Sequence, residues 1–369
     1  MSEFYIGLMS GTSLDGIDAA LIDFSELKPK FVAFDYCPYE PAFKSRLARL
    51  TSTQEPIRLE DYGTVDTQLG RQFAQSVLKL LSKANIPSQT IKAIGSHGHT
   101  IYHAPDLNSA FSLQIGDPNI IAETTGITTV ADFRRRDIAA KGQGAPLVPA
   151  FHHAFFGKHQ ENRVVVNIGG IANITVLPGT SIDKVIGFDT GPGNGLMDQW
   201  IKHHKDLDFD ANGDWASSGQ LLTNVMTQLL SDDYFNHPAP KSTGKEYFSL
   251  DWLHKKVKGL ADYNPNDIQC CLCHLTAQSL ADAINRYAHK TDLILICGGG
   301  VHNAFLMDLL KQKSSCKVLS TEHFNLHPDH VEATAFAWLA RQTMNHQPGN
   351  LKSVTGANKA VVLGAIYQG

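Results

Sequence analysis

Tyr5–Phe24, YIGLMSGTSLDGIDAALIDF, reads as a strand, a turn rich in Gly, Ser and Thr, and a second strand. Tyr5, Ile6 and Leu8 lead in. Gly11, Thr12, Ser13, Leu14, Asp15 and Gly16 make the turn, Ile17 and Asp18 leave it, and Ala19 to Phe24 run out. Glycine permits backbone conformations and close approaches that other residues resist. Such a turn can aim several backbone N–H groups at one anion, a nest suited to phosphate. Thr12 and Ser13 add hydroxyl donors, while Asp15 and Asp18 are acceptor-only groups that suit a hydrated cation. The same residues also suit an ordinary long hairpin turn, and local composition leaves both readings open.

The pattern returns downstream. Val164 to Leu177, VVVNIGGIANITVL, is again strand, Gly/Asn-rich turn, strand, roughly 160 residues on. Lys92 to Gly98, KAIGSHG, resembles Leu293 to Gly300, LILICGGG, and each follows a long helical stretch. Tyr62, Val65, Leu69, Phe73, Val77 and Leu80 recur at helical spacing, and Ile91 to Gly95 then read as a buried strand before a polar loop, Ser96 to Thr100. Strand, helix, strand is a parallel crossover unit, and ligands gather beyond the carboxyl ends of its strands. The echo predicts an α/β chain of two duplicated halves around a central cleft. The first spans residues 1–150 and the second 151–349, with the tail from about 350 to 369 returning to the first.

Composition narrows the class. The 369 residues are 43% hydrophobic and 18% charged, as in an ordinary globular protein. A formal net charge of −4 argues against nucleic acid as a partner. No apolar run approaches the ~18 residues needed to span a bilayer. MSEFYIG has neither the basic leader nor the apolar core of a signal peptide, so a cytoplasmic location is expected. Six cysteines fit that compartment as reduced thiols. Cys270, Cys273 and His274 spell C-x-x-C-H, a haem attachment pattern, but Ile268, Leu272, Leu275, Leu280 and Ile284 put the same stretch on a buried helix.

Glycine-rich turns follow strands at Gly11, Gly169-Gly170, Gly191–Gly195 and Gly298–Gly300. Each alone is weak, since glycine punctuates turns everywhere. Four in a duplicated chain resemble a nucleotide site gripped by backbone from both halves. The Walker pattern fails, because Glu246 follows Gly244-Lys245, and GPGNG is too short for a dinucleotide fingerprint. Asp189, at the end of the strand Val185 to Phe188, is the candidate general base, with a turn-forming role as the alternative. Glu332 falls in the first turn of a helix from about Asp329 to Arg341, where negative charge is favourable in any case. His97, His99 and His103 match no zinc spacing and read as loop residues facing substrate. Arg134, Arg135 and Arg136 suit an anionic group or a solvated basic patch.

A series of motifs in order along the chain resembles the 1,6-anhydro-N-acetylmuramic acid kinases. They are GLMSGTSLDGID from Gly7, GSHGHT from Gly95, QIGDP from Gln114, ADFRRRD from Ala131, GQGAPLVPAFH from Gly142, NIGGIANIT from Asn167 and GFDTGPGN from Gly187. LMDQW, PKSTGKE, CGGGVHN and EATAFAWLA complete the series. That family belongs to the sugar kinase, heat-shock ATPase and actin superfamily. The resemblance therefore implies two duplicated actin-like, ribonuclease H-like domains around an ATP cleft, and a homodimer. It implies that the enzyme opens the anhydro ring of anhydro-N-acetylmuramic acid with water and phosphorylates O6 from ATP in peptidoglycan recycling. Asp189 would activate the water and Glu332 would orient water or sugar. Gly11 to Asp18, Asn167, Gly169, Gly170, Gly298, Gly299 and Gly300 would bind ATP, with Mg²⁺ held through water at Asp15. His97, Thr100, Gln114, Asp117 and Arg134 would contact the sugar. Two positions depart from the pattern: His99 stands where the family usually has Gln, and Lys141 where it usually has Gly.

Overall fold

The computed structural model describes residues 2–11, 14–26, 29–51 and 56–369, so Thr12 and Ser13 of the first turn lie outside the described residues. The chain divides into two compact units, Met1–Phe155 with His330–Gly369, and Phe156–Asp329.

In the first unit, β1 (Phe4–Ser10), β2 (Gly16–Asp23) and β3 (Lys30–Pro38) form an antiparallel meander. β4 (Ile91–Ala104) lies parallel to β1, and β6 (Thr129–Ala131) lies parallel to β4. β5 (Phe111–Ile115) pairs with the far end of β4, and β12 (Ala365–Tyr367) closes the edge beside β6. The Leu59–Ala84 helix buries Val65, Leu69, Phe73, Val77 and Leu80 on one sheet face, against Ile6, Leu8, Ile17 and Leu21. Each such side chain contributes roughly 1.5–3 kcal/mol of burial free energy.

The opposite face takes the Val331–Met344 helix, which buries Ala333, Phe336, Ala337 and Ala340 against Tyr5, Ala20 and Ile22. Gly7 and Gly95 make this possible. A Cβ at Gly7 would run into the Ala333 carbonyl, and one at Gly95 into the Phe336 carbonyl. Small residues on both surfaces let the backbones approach closely, and this docks the helix on the first unit. The chain thus returns at His330, earlier than the expected return near 350, and the division falls at 155/156.

A second difference concerns Ser96 to Thr100. The polar composition predicts a loop, yet β4 runs unbroken from Ile91 to Ala104. Ser96 pairs with Leu8 and His99 with Ser10 on one side, and His99 pairs with Ile115 on the other. Gly98, at φ +74°, lies in the one-residue bulge between the Leu8 and Ser10 pairs.

The second unit repeats the topology. β7 (Arg163–Ile168), β8 (Ile171–Leu177) and β9 (Ile186–Pro192) form an antiparallel meander. β10 (Leu293–Cys297) lies parallel to β7, and β11 (Lys317–Ser320) parallel to β10. The order β9-β8-β7-β10-β11 matches β3-β2-β1-β4-β6 strand for strand and sense for sense. The fold is therefore α/β with two duplicated units of the ribonuclease H-like kind. The Pro265–Tyr287 helix packs Ile268, Leu272, Leu275, Leu280 and Ile284 into the second core. Cys270 and Cys273 are buried there as free thiols, and burial pushes the Cys270 thiol up to about 11. That burial removes the haem reading.

Candidate functional site

In the second unit, the carboxyl ends of β7 and β10 gather the expected nucleotide residues of that half. Gly169 and Gly170 close the β7–β8 hairpin. Their carbonyls accept the N–H groups of Asn194 (2.7 Å), Gly193 (3.0 Å) and Gly195 (3.0 Å), which begin the Asn194–Lys205 helix. Cys297 pairs with Asn167, and the chain then turns at Gly298 with φ +80°. A side chain at Gly298 would strike Asn167 Oδ1, and one at Gly300 would strike Ile168. Gly298 also donates its N–H to the Pro328 carbonyl at 3.0 Å. Asn167, Gly169, Gly170, Gly298, Gly299 and Gly300 are thus drawn together.

Asp189 lies within β9 rather than beyond its end. A register shift between the Ala172–Gly191 and Asn173–Asp189 pairs leaves Thr190 as the extra residue of a bulge. Bulges of this kind re-aim side chains. The segment after Pro240 folds back on the strand. Asp189 N–H donates to the Lys241 carbonyl at 3.1 Å, and Thr243 N–H donates to Asp189 Oδ2 at 3.0 Å. Tyr234 OH donates to the Asp189 carbonyl at 2.8 Å. Burial pushes the Asp189 carboxyl up from 3.8 to about 6, against the lowering effect of the Thr243 N–H. Such a group is ionised at neutral pH yet more basic than an ordinary carboxylate, which suits a general base. The PKSTGKE motif had no assigned role in the sequence, and nothing local in it points to Asp189.

In the first unit, His97 and Arg134 form a fixed pair. His97 Nδ1 donates to the Gly98 carbonyl at 3.0 Å, leaving Nε2 to accept from Arg134 Nη2 (2.8 Å) and Nε (3.2 Å). Burial and the guanidinium hold His97 neutral. Arg134 Nη1 donates to the Gly144 carbonyl at 2.9 Å. Burial lowers its pKa to about 10, opposed by Glu332 and then Asp137. Glu332 therefore joins His97 and Arg134 in the first unit. Gln114 Nε2 donates to Thr100 Oγ1 (3.1 Å) and Ser112 Oγ (2.8 Å), and Ser112 bonds His103 Nδ1 at 3.0 Å. His103 is held down to about 4 by burial and by Arg134. Asp117 is engaged otherwise: its Oδ1 caps the Pro118–Thr125 helix through Asn119 N–H at 2.9 Å.

The two departures acquire physical meaning. His99 is fully buried, with Nδ1 2.9 Å from Ser10 Oγ, which in turn lies 2.6 Å from Tyr39 OH. It thus ties β4 to the residue just before Gly11. Lys141 sits at φ +71°, in the left-handed region that glycine occupies without strain. At the first turn, Leu14 N–H bonds the Gly11 carbonyl at 3.2 Å. Asp15 is exposed and Asp18 half-buried, and both act on Tyr36, helping burial push its phenol up to about 12. Two carboxylates there give the hard oxygen set that a largely hydrated Mg²⁺ takes.

A model of the family described as "Anhydro-N-acetylmuramic acid kinase" matches residues 3–369. A protein of that name from Coxiella burnetii is 49% identical over 368 residues, covering 100% of this chain and 98% of its own length. One from Pasteurella multocida is 48% identical over 367 residues, covering 99% and 96%. Among solved structures, a ROK family glucokinase from Streptomyces griseus in complex with glucose and AMPPNP aligns at TM-score 0.42 and 11% identity, covering 92% of this chain and 99% of that one. Similarity that distant says nothing of chemistry.

Proposed function

The chain belongs to the anhydro-N-acetylmuramic acid kinase family, and from that membership and the setting of Asp189 we propose how it acts. It is an ATP-dependent sugar kinase. It opens the 1,6-anhydro ring of anhydro-N-acetylmuramic acid with water and phosphorylates O6, giving N-acetylmuramic acid 6-phosphate and ADP. Asp189 takes a proton from water as the water oxygen bonds C1. The C1–O6 bond breaks through an oxocarbenium-like state. The freed O6 takes the γ-phosphoryl group, so no protein acid is needed for the leaving oxygen. General-base help of this kind contributes typically ~10²–10⁴-fold.

Carrying the proposal is the Asp189 carboxyl, lifted to about 6 at a strand bulge and held by one backbone N–H. Arg134 suits the lactyl carboxylate of the sugar, and Glu332 beside it suits orientation of sugar or water. His97, Thr100, Gln114 and Asp117 supply further polar contacts to the sugar. Gly11 to Asp18 and the Gly169–Gly170 turn hold the phosphates, and Gly298 to Gly300 the adenosine. Asp15 and Asp18 would hold Mg²⁺ through water, an ion that neutralises phosphate charge when bound. The proposal includes a cytoplasmic location, favoured by ATP as donor and by free cysteines, and a homodimer, which sedimentation equilibrium checks.

The test is incubation with the anhydro sugar and ATP, followed by mass spectrometry. A sugar 6-phosphate is expected. Preferential phosphorylation of plain N-acetylmuramic acid would contradict the proposal.

A further inference from the structure

Lys245 lies two residues beyond Thr243, whose N–H holds Asp189. Its side chain runs along Gly170: a Cβ built there would collide with Lys245 Cε and lie 3.4 Å from Nζ. The absence of a side chain at Gly170 leaves room for the lysine in this conformation. Gly170 is itself fixed, because its carbonyl accepts the N–H groups of Gly193 and Gly195. Asp198, on the Asn194–Lys205 helix, feels the same ammonium. Burial raises its carboxyl, Lys245 lowers it, and Asp210 and Asp208 raise it further. A compact ammonium set against a glycine turn is a point charge suited to phosphate.

We infer that Lys245 contacts the nucleotide polyphosphate at the Gly169–Gly170 turn. The inference rests on the reading of that turn as a phosphate turn. The chain lacks a Walker lysine in sequence, yet the fold delivers a lysine to a glycine turn from a segment about 75 positions further on.

Calorimetry of ATP binding to the full-length protein tests this, with Lys245→Met, Lys245→Gln and Lys245→Arg compared after thermal melts establish folding. Loss of a charge-assisted bond weakens ATP roughly 10- to 100-fold in the Met and Gln variants. Their ATP affinity also loses part of its salt dependence, and KM for the sugar stays within about twofold. Lys245→Arg keeps the charge and recovers most of the affinity. If either neutral variant binds ATP as tightly as the unsubstituted protein, the inference is overturned. Gly170→Val separates the causes. If it abolishes ATP binding while the lysine variants do not, only the role of Lys245 fails; if all bind normally, the phosphate-turn reading fails too.

Discussion

Thr243 donates its backbone N–H to Asp189 Oδ2 at 3.0 Å, and this one bond only partly offsets the burial of the carboxylate. A buried carboxyl with limited hydrogen bonding keeps a raised pKa. The same balance makes Asp189 a useful base and a source of instability, and the two consequences are separable by experiment.

Asp189→Asn is predicted to lose activity by ~10²–10⁴-fold while becoming more stable at neutral pH. The folded pKa of about 6 exceeds the ordinary 3.8, so ionisation is costlier in the folded chain. The cost is absent below 3.8, grows between the two values and is complete above 6. Asn, which keeps an acceptor for Thr243, therefore stabilises by up to about 3 kcal/mol at pH 8 and by almost nothing at pH 3.5. Denaturant melts at the two pH values check this; a variant destabilised equally at both contradicts it.

The pH dependence of turnover follows from the same group. As a base, Asp189 must be ionised, so kcat/KM rises with pH through an acid limb at about 6. An acid limb near 4 would mean that the carboxyl is solvated.

Arg134→Met removes the donor to His97 Nε2 and to the Gly144 carbonyl. Stranding buried acceptors costs about 1–3 kcal/mol, and KM for the sugar is predicted to rise. Arg134→Lys should recover little of either, because an ammonium cannot reproduce the spread of a guanidinium. Melting temperatures and sugar KM values for both variants decide it.

Lys141→Gly is predicted to stabilise the chain. The left-handed backbone at φ +71° strains any residue with a Cβ by ~1–2 kcal/mol. Glycine's greater freedom in the unfolded chain returns roughly 0.5–1 kcal/mol of this. A net gain of about 1 kcal/mol or less is expected, with kinetics unchanged. A loss of stability would show that the Lys141 side chain makes compensating interactions.

Much of the fold was legible because its signals are local. Apolar runs on either side of the glycine-rich turns at Gly11 and Gly169-Gly170 reveal both hairpins, and the spacing from Tyr62 to Leu80 reveals the helix above the first sheet. The return of the chain at His330 was not, because its cause is a fit between Gly7 and Ala333 that no local pattern encodes. The strand character of Ser96 to Thr100 was hidden for the opposite reason. Those residues look like a loop, and only hydrogen bonding to β1 and β5 makes them strand. At the site, motif order marked Asp189 and Glu332. The Thr243 N–H that holds Asp189, and the Arg134 guanidinium that feels the charge of Glu332, are set by tertiary structure.

The central claim is that Asp189 activates water for attack at C1 while O6 goes to the phosphoryl group. Turnover in ¹⁸O-labelled water with the anhydro sugar and ATP tests this directly. The account predicts label in the C1 hydroxyl of the product and none in its phosphate. Label in the phosphate, or an unlabelled C1 hydroxyl, would contradict it.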